Sequence, residues 1–219
     1  MSEGFLVAVD GPAASGKGTV AAGLARDFGL AYLDSGLLYR AVGAAVLAVG
    51  GDLGDPDAAT VAAQALDANH LEDPALRTRE AGEAASRVAV HPGVRAALLT
   101  FQRTFAAQAP GAVIDGRDIG SVIAPWAPAK LFVTASPKIR AERRWRQLVS
   151  QGEDVAFEDI LADIERRDER DSARAASPLV RADDAVLLDT TEMTIEQAAD
   201  AARRMVETAR GRWAQSQAG

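Results

Sequence analysis

The sequence predicts an α/β domain in which helices wind around both faces of a parallel sheet. Three observations predict it: short, unbroken apolar runs recur along the chain, helical segments separate them, and a glycine-rich turn joins the first run to the first helix. A strand buried on both faces shows no polar side, so it reads as a continuous apolar run rather than an alternation.

The first run is Phe5-Leu6-Val7-Ala8-Val9. After the turn comes the helical stretch Thr19 to Phe28, stopped by Gly29. A second apolar segment ends in Leu33-Asp34-Ser35-Gly36. Three more runs repeat the pattern: Ala112-Val113-Ile114, Lys130-Leu131-Phe132-Val133 and Ala185-Val186-Leu187-Leu188. A long, mostly helical stretch from about Ser35 to Pro110 separates the second segment from the third, and His91-Pro92-Gly93 within it starts a new helix near Val94. A charge-dense excursion runs from about Ile139 to Ser177. The last helix begins at Thr194 with Thr194-Ile195-Glu196-Gln197 as a capping box, and its face of Ile195, Ala198, Ala202, Met205 and Ala209 reads as core. In such sheets ligands sit in a crevice at the carboxyl ends of the strands.

With 219 residues, 48% of them hydrophobic and 25% charged, the chain suits one domain with a substantial core. A net charge of −7 disfavours a nucleic-acid partner, which calls for a basic surface. There is no cysteine, so disulfides, thiolate metal sites and cysteine nucleophiles are excluded. Met1-Ser2-Glu3 does not open a signal peptide, and the most membrane-like stretch, Ala41 to Gly51, falls well short of the roughly 20 residues a spanning helix needs. The expectation is a cytoplasmic protein with no membrane partner. Of the basic residues only Lys17, Lys130 and Lys138 are lysine, and arginine's planar fork is the better clamp for phosphates.

The turn is Gly11-Pro12-Ala13-Ala14-Ser15-Gly16-Lys17-Gly18-Thr19, between a predicted strand and a predicted helix. Glycines let backbone N–H groups curl around phosphate oxygens, the helix N-terminus adds partial positive charge, and Lys17 reaches the β- and γ-phosphates of a nucleoside triphosphate. Gly18 stands where Ser or Thr is commonest, and the hydroxyl comes one position later at Thr19, which leaves open the oxygen that meets the metal.

Switch-type GTPases read guanine with an Asn-Lys-x-Asp element, but the only asparagine here, Asn69, precedes His70. Ser35 and Arg40 bracket a turn at a strand's carboxyl end, where they could hold a second phosphate or a base; an N-capping serine and a surface arginine would look the same. Ile114-Asp115-Gly116-Arg117-Asp118 puts two carboxylates and an arginine at the mouth of the crevice. Phe157, Ile160, Ile164, Arg167, Asp171 and Arg174 are spaced by three and four, so they share one helix face. That face begins apolar and turns ionic without rotating, as it would on leaving the core to line a polar cleft. Arginines converging on one cleft suit phosphoryl transfer, in which the protein neutralises charge and aligns substrates. The two histidines, His70 and His91, offer no metal or triad set, and His91 reads as a turn or capping residue.

Taken together, Asp10-Gly11-Pro12, Gly16-Lys17-Gly18-Thr19, Leu33-Asp34-Ser35-Gly36, Tyr39-Arg40, Ala85-Ser86, Val94-Arg95, Asp115-Gly116-Arg117-Asp118, Arg167-Asp168, Asp171, Arg174 and Ser177-Pro178-Leu179 resemble the bacterial cytidylate kinases of the nucleoside monophosphate kinase group, over nearly the whole chain. The resemblance implies a P-loop NTPase-type doubly wound parallel five-stranded sheet with a helical acceptor-binding insertion (about 36–110) and a lid (about 139–177), on a core of about 1–35, 111–138 and 178–219. It implies transfer of the γ-phosphoryl of ATP to CMP or dCMP with Mg²⁺, by a monomer. It places ATP on Gly11 to Thr19, with Thr19, directly or through water, as the candidate metal oxygen. It sets Ser35, Asp171 and Arg174 on the cytidine moiety and Arg40, Arg95 and Arg117 on the acceptor phosphate. Ser86 and Asp118 assist in the acceptor pocket. Lys17, Arg117, Arg143, Arg144 and Arg167 serve the transferring phosphate, the last three from the lid. The family's small β-rich insertion is missing: Asp67 to Thr78 is short and has no strand pattern. The rivals are a small-metabolite kinase of the shikimate or gluconate type and a non-catalytic ATP-sensing module.

Overall fold

The computed structural model describes residues 4–174 and 177–217, so the Met1-Ser2-Glu3 stretch lies outside the described residues. Five strands, β1 (Phe5–Asp10), β2 (Ala31–Asp34), β3 (Gly111–Gly116), β4 (Ala129–Thr134) and β5 (Val186–Asp189), form one sheet in the order β2-β3-β1-β4-β5. Every neighbouring pair is parallel; Val7 stands between Val113 and Ala129 in register. Among the described residues the α-helices are α1 (Lys17–Phe28), α2 (Ser35–Ala48), α3 (Pro56–Gln64), α4 (Arg79–Val88), α5 (Pro92–Ala106), α6 (Pro137–Ser150), α7 (Phe157–Ser172) and α8 (Ile195–Gln217).

The central strand explains the two-sided core. Phe5, Val7 and Val9 point to one face and pack with Val20, Leu24, Ala202 and Val206 of α1 and α8. Leu6 and Ala8 point to the other face, against Leu38 and Val42 of α2 and Val88 and Leu98 of α4 and α5. A third, smaller cluster joins Ala141 and Leu148 of α6 to Ile160 and Ile164 of α7.

Several boundaries shift for identifiable reasons. Helix α1 starts at Lys17 rather than Thr19, because Gly16 takes the left-handed cap conformation and its carbonyl already accepts from Val20 N. Helix α5 starts at Pro92 rather than near Val94, with proline in the first turn where its missing N–H costs nothing. His91 is the N-cap residue of that helix, as read, but its side chain makes no cap bond; its Nε2 meets the Leu53 carbonyl at 2.9 Å. The capping box before α8 forms as read: Thr194 N donates to Gln197 Oε1 at 2.9 Å, and Gln197 N to Thr194 Oγ1 at 3.2 Å. Ile195, however, is not core. It is 69% exposed, because it sits in the first turn before the helix meets the sheet. The stretch from Asp67 to Thr78 holds only the short helical turns Ala68–His70 and Pro74–Arg77, without strand. Among the described residues no helix is long and apolar enough to cross a membrane.

Candidate active site

The glycine-rich loop joins β1 to α1, and its geometry demands its residue types. Gly11 has φ +154°, and a Cβ there would stand 2.0 Å from the Val133 carbonyl oxygen of β4; Gly16 has φ +86°. Two arginines of α6 fasten the loop by its carbonyls. Arg140, only 2% exposed, donates to Ala13 O at 3.2 Å and to Ala135 O at 2.8 Å, and grips Asp168 of α7 with both its terminal nitrogens. Arg143 donates to Ser15 O at 3.4 Å and to Oγ1 and the carbonyl of Thr190 at 2.9 and 2.6 Å. Lys17, first in α1, lies 3.8 Å from Asp115 Oδ2, whose other oxygen accepts from the Tyr32 hydroxyl at 2.9 Å.

Beside the loop, where β1, β2 and β3 end, a cavity is lined by Lys17, Ser35, Arg40, Ser86, Arg95, Arg117, Asp118, Arg167, Asp171 and Arg174. These residues come from α1, α2, α4, α5, the β3 end and α7, so the fold gathers positions up to 157 residues apart. The Ser35 reading divides. Asp34, not Ser35, caps α2, accepting from Gly36 N at 2.9 Å, while Ser35 is buried and donates to the Asp115 carbonyl at 2.7 Å. Arg40 is no loose surface arginine either; it donates to the carbonyls of Leu76 and Thr78 at 2.7 and 2.9 Å. The α7 face turns from core to cleft as its spacing predicts, although the helix ends at Ser172 and Arg174 reaches back from the chain beyond it. Asp171 is 1% exposed; it accepts from Arg117 Nε at 2.9 Å and also pairs with Arg174. Arg95 pairs with Asp118, and its guanidinium stacks over the Tyr39 ring 5.6 Å from the centroid.

The cavity's charge is unbalanced. Lys17 and five arginines line it against three carboxylates, Asp34, Asp118 and Asp171. Burial pushes the Lys17 ammonium down and the Asp115 carboxyl up, each partly offset by the other. Burial, then the neighbouring Arg117, lowers Arg167 to about 10. Among the described residues Arg167 has no carboxylate within ion-pair distance, and its buried Nε has no hydrogen-bond partner. For Asp171, burial alone would raise the carboxyl, but Arg117, Arg174 and Arg167 together outweigh it and hold it below its ordinary value. Crowded, incompletely paired cations at a loop built for phosphates make an anion-binding chamber.

A second cavity opens on the other side of the loop, lined by Ser15, Gly16, Thr19, Arg143, Arg144, Thr190 and Ile195. Ala14, in the left-handed region at φ 59°, borders both. Arg143 is therefore separated from Arg117 and Arg167 by the loop itself, whereas Arg144, which hydrogen-bonds Gln147 at 2.9 Å, also lines a third cavity together with Arg40 and Arg167. Thr19 faces this second chamber. Gly18, one position earlier, turns toward Asp115 and Tyr32, which a Cβ would meet at 3.8 and 3.7 Å.

Sequence reasoning missed Arg140, whose signal was its spacing of three and four to Arg143 and Arg144. It placed Asp10 in a motif without giving it a task, and it missed Tyr32. Asp10 closes β1 by accepting N–H bonds from Ile119 and Gly120, both at 2.8 Å, which ties the loop strand to the segment after β3.

The chain matches the family model described as cytidylate kinase over residues 7–208. A cytidylate kinase of Caulobacter vibrioides is 70% identical over 95% of this chain and 98% of its own. One from Xanthobacter autotrophicus is 64% identical over 94% of this chain and 99% of its own. In fold alone, an uncharacterized protein from Eubacterium ventriosum shares a TM-score of 0.55 at 13% identity, over 93% of this chain and 98% of that one. The family match spans the loop, the arginine-rich chamber and every element that builds them, and with relatives so similar over nearly their whole length, this chain belongs to the cytidylate kinase family.

Proposed function

We propose that the chain transfers the γ-phosphoryl group of ATP to CMP or dCMP, giving ADP and CDP or dCDP. One observation carries the reading at the level of residues: two chambers flank a single phosphate loop, and one of them pairs excess positive charge with buried donor–acceptor side chains. ATP occupies Gly11 to Thr19, with its base end in the chamber bounded by Arg143, Thr190 and Ile195. The acceptor nucleotide occupies the arginine-rich chamber.

Within that chamber the arginines take different tasks. Arg40, Arg117 and Arg167, which line it alongside Lys17, hold the acceptor phosphate and the transferring group. Arg95, expected from the sequence on the acceptor phosphate, pairs instead with Asp118, and we place this pair at the base as a fixed donor beside a fixed acceptor. Such a pair matches the cytosine edge, where the N3 acceptor adjoins the N4 amino donor; uracil offers N3–H and O4 in the reverse sense. Ser35, Ser86, Asp171 and Arg174 complete the wall around the nucleoside. Bringing α7 closer over the loop would exclude water, the competing acceptor.

Membership in the family implies a nucleotide-associated metal, and the donors present fit Mg²⁺. No group of three or more His, Asp or Glu residues among the described ones could cage an ion, which suits a cation held chiefly by phosphate oxygens and water. The Asp34 and Asp115 carboxylates on the Lys17 side of the loop, or the Thr19 hydroxyl on its other side, are the protein oxygens that would support it, directly or through water. When bound, it neutralises charge on the phosphates.

ADP release measured with CMP, dCMP, UMP, AMP, shikimate and gluconate tests the proposal. Turnover with CMP or dCMP above the others is expected. Turnover confined to shikimate or gluconate, or none with any acceptor, overturns it.

A further inference from the structure

We infer that Arg170 is a positioning residue for acceptor recognition, acting by fixing the Ser86 hydroxyl; the inference rests on the functional reading above. Arg170 stands three residues after Arg167 on α7, so it lies at the edge of the ionic face. Its guanidinium crosses to α4 and meets two side chains one turn apart. Nη1 donates to Ser86 Oγ at 2.8 Å, and Nη2 lies 3.1 Å from Glu83 Oε1.

The burial pattern separates their tasks. Glu83 is 55% exposed and Arg170 30% exposed at the side chain, so their ion pair lies at the rim, where it contributes little energy but sets direction. Ser86 is 2% exposed and borders the acceptor chamber. A serine inside a helix ordinarily turns its hydroxyl back to the carbonyl four residues earlier, which would waste it for a ligand. The donated N–H occupies one lone pair and holds Oγ toward α7, so the proton and the second lone pair remain for the nucleoside. Glu83 keeps the fork from swinging into the chamber, where Arg167 and Arg174 already crowd Asp171. The same bond couples the two walls of the cleft: when α7 is seated, Ser86 is set.

A double-mutant cycle tests this, with Arg170→Met, Ser86→Ala and the double variant assayed for kcat and KM with CMP, UMP and ATP. Methionine keeps the apolar stem and removes the fork. The expected result is a rise of about tenfold in KM for CMP in each single variant, the cost of roughly one hydrogen bond. ATP KM should stay within about twofold, and the preference for CMP over UMP should narrow. Because Arg170 acts through Ser86, the double variant should be no worse than the poorer single one, with non-additivity of about tenfold. Additive losses, or equal losses toward ATP and CMP, overturn the inference. If Arg170→Met yields no folded protein, Arg170→Lys replaces it in the same cycle. A wild-type chain inactive on CMP overturns the functional reading and the inference together; an active wild type with unchanged Arg170→Met kinetics overturns the inference alone.

Discussion

Replacing Asp171 with alanine uncovers the charge problem that the arginine-rich chamber solves. In the native chain its carboxylate is 1% exposed and neutralises Arg117 and Arg174, with Arg167 alongside. Alanine leaves those cations facing one another without a counter-ion. Removing one partner of a buried pair costs about 3–5 kcal/mol, and since the Arg117 side chain retains 15% exposure and can rehydrate, the lower end, about 3 kcal/mol, applies. At about 2–4 °C per kcal/mol for a chain of this length, the melting temperature should drop by about 6–12 °C. Inorganic phosphate should restore part of the loss, because an anion that binds only the folded state stabilises it by mass action, about 2.7 kcal/mol at 100 times its Kd. With CMP, kcat/KM should fall about 100-fold, corresponding to the roughly 2.7 kcal/mol of two charge-assisted hydrogen bonds, while ATP affinity changes little. Thermal melts with and without phosphate, alongside steady-state kinetics, measure all of this. A melting temperature within about 2 °C of wild type, or equal losses toward ATP and CMP, would show that Asp171 neither balances the arginines nor serves the acceptor.

Arg167→Ala should lower kcat on the order of 10³-fold with a smaller change in KM for CMP, since an unpaired arginine at the phosphate loop stabilises transferring charge more than bound substrate; a change in KM alone contradicts that placement. Gly11→Ala should give no folded, ATP-binding protein, its Cβ being aimed 2.0 Å from the Val133 carbonyl oxygen. Gly18→Ala should fold and melt no lower than wild type, because its Cβ would make only ordinary contacts at 3.7 and 3.8 Å inside a helix that favours alanine; circular-dichroism melts of the pair decide it. Burial pushes the Asp10 carboxyl up to about 7 from 3.8, against the pull of its two backbone N–H donors. The folded state therefore binds the extra proton, and its stability contribution declines as pH rises from about 4 through about 7. Asp10→Asn should remove that slope from the difference in denaturant stability across the window, and a slope equal to wild type would refute the assignment.

The sequence by itself determined the elements and the kind of chemistry, because both rest on local rules. Unbroken apolar runs read as strands, and β1 and β3 are buried on both faces, although β5 at the sheet edge leaves Val186 and Leu187 exposed; a lysine after a glycine-rich turn at a helix start stands at that helix's N-terminus. The α7 stripe was legible for the same reason: a fixed helical period carries Ile160 and Ile164 into the core and Asp171 into the cleft. The tertiary structure decided everything that depends on which strand ends meet. Strand order puts β3 beside β1, which brings Asp115 to Lys17 and Asp118 to Arg95. It also divides the arginines into those bonded to the protein's own acceptors and those left without one among the described residues. Arg140, Arg143 and Arg167 look alike along the chain. Arg140 and Arg143 are spent on the loop's carbonyls, while Arg167 stays unpaired among the described residues, facing Arg117. An arginine's task is set by whether an acceptor lies within about 3 Å of its fork, and only the assembled sheet places those acceptors.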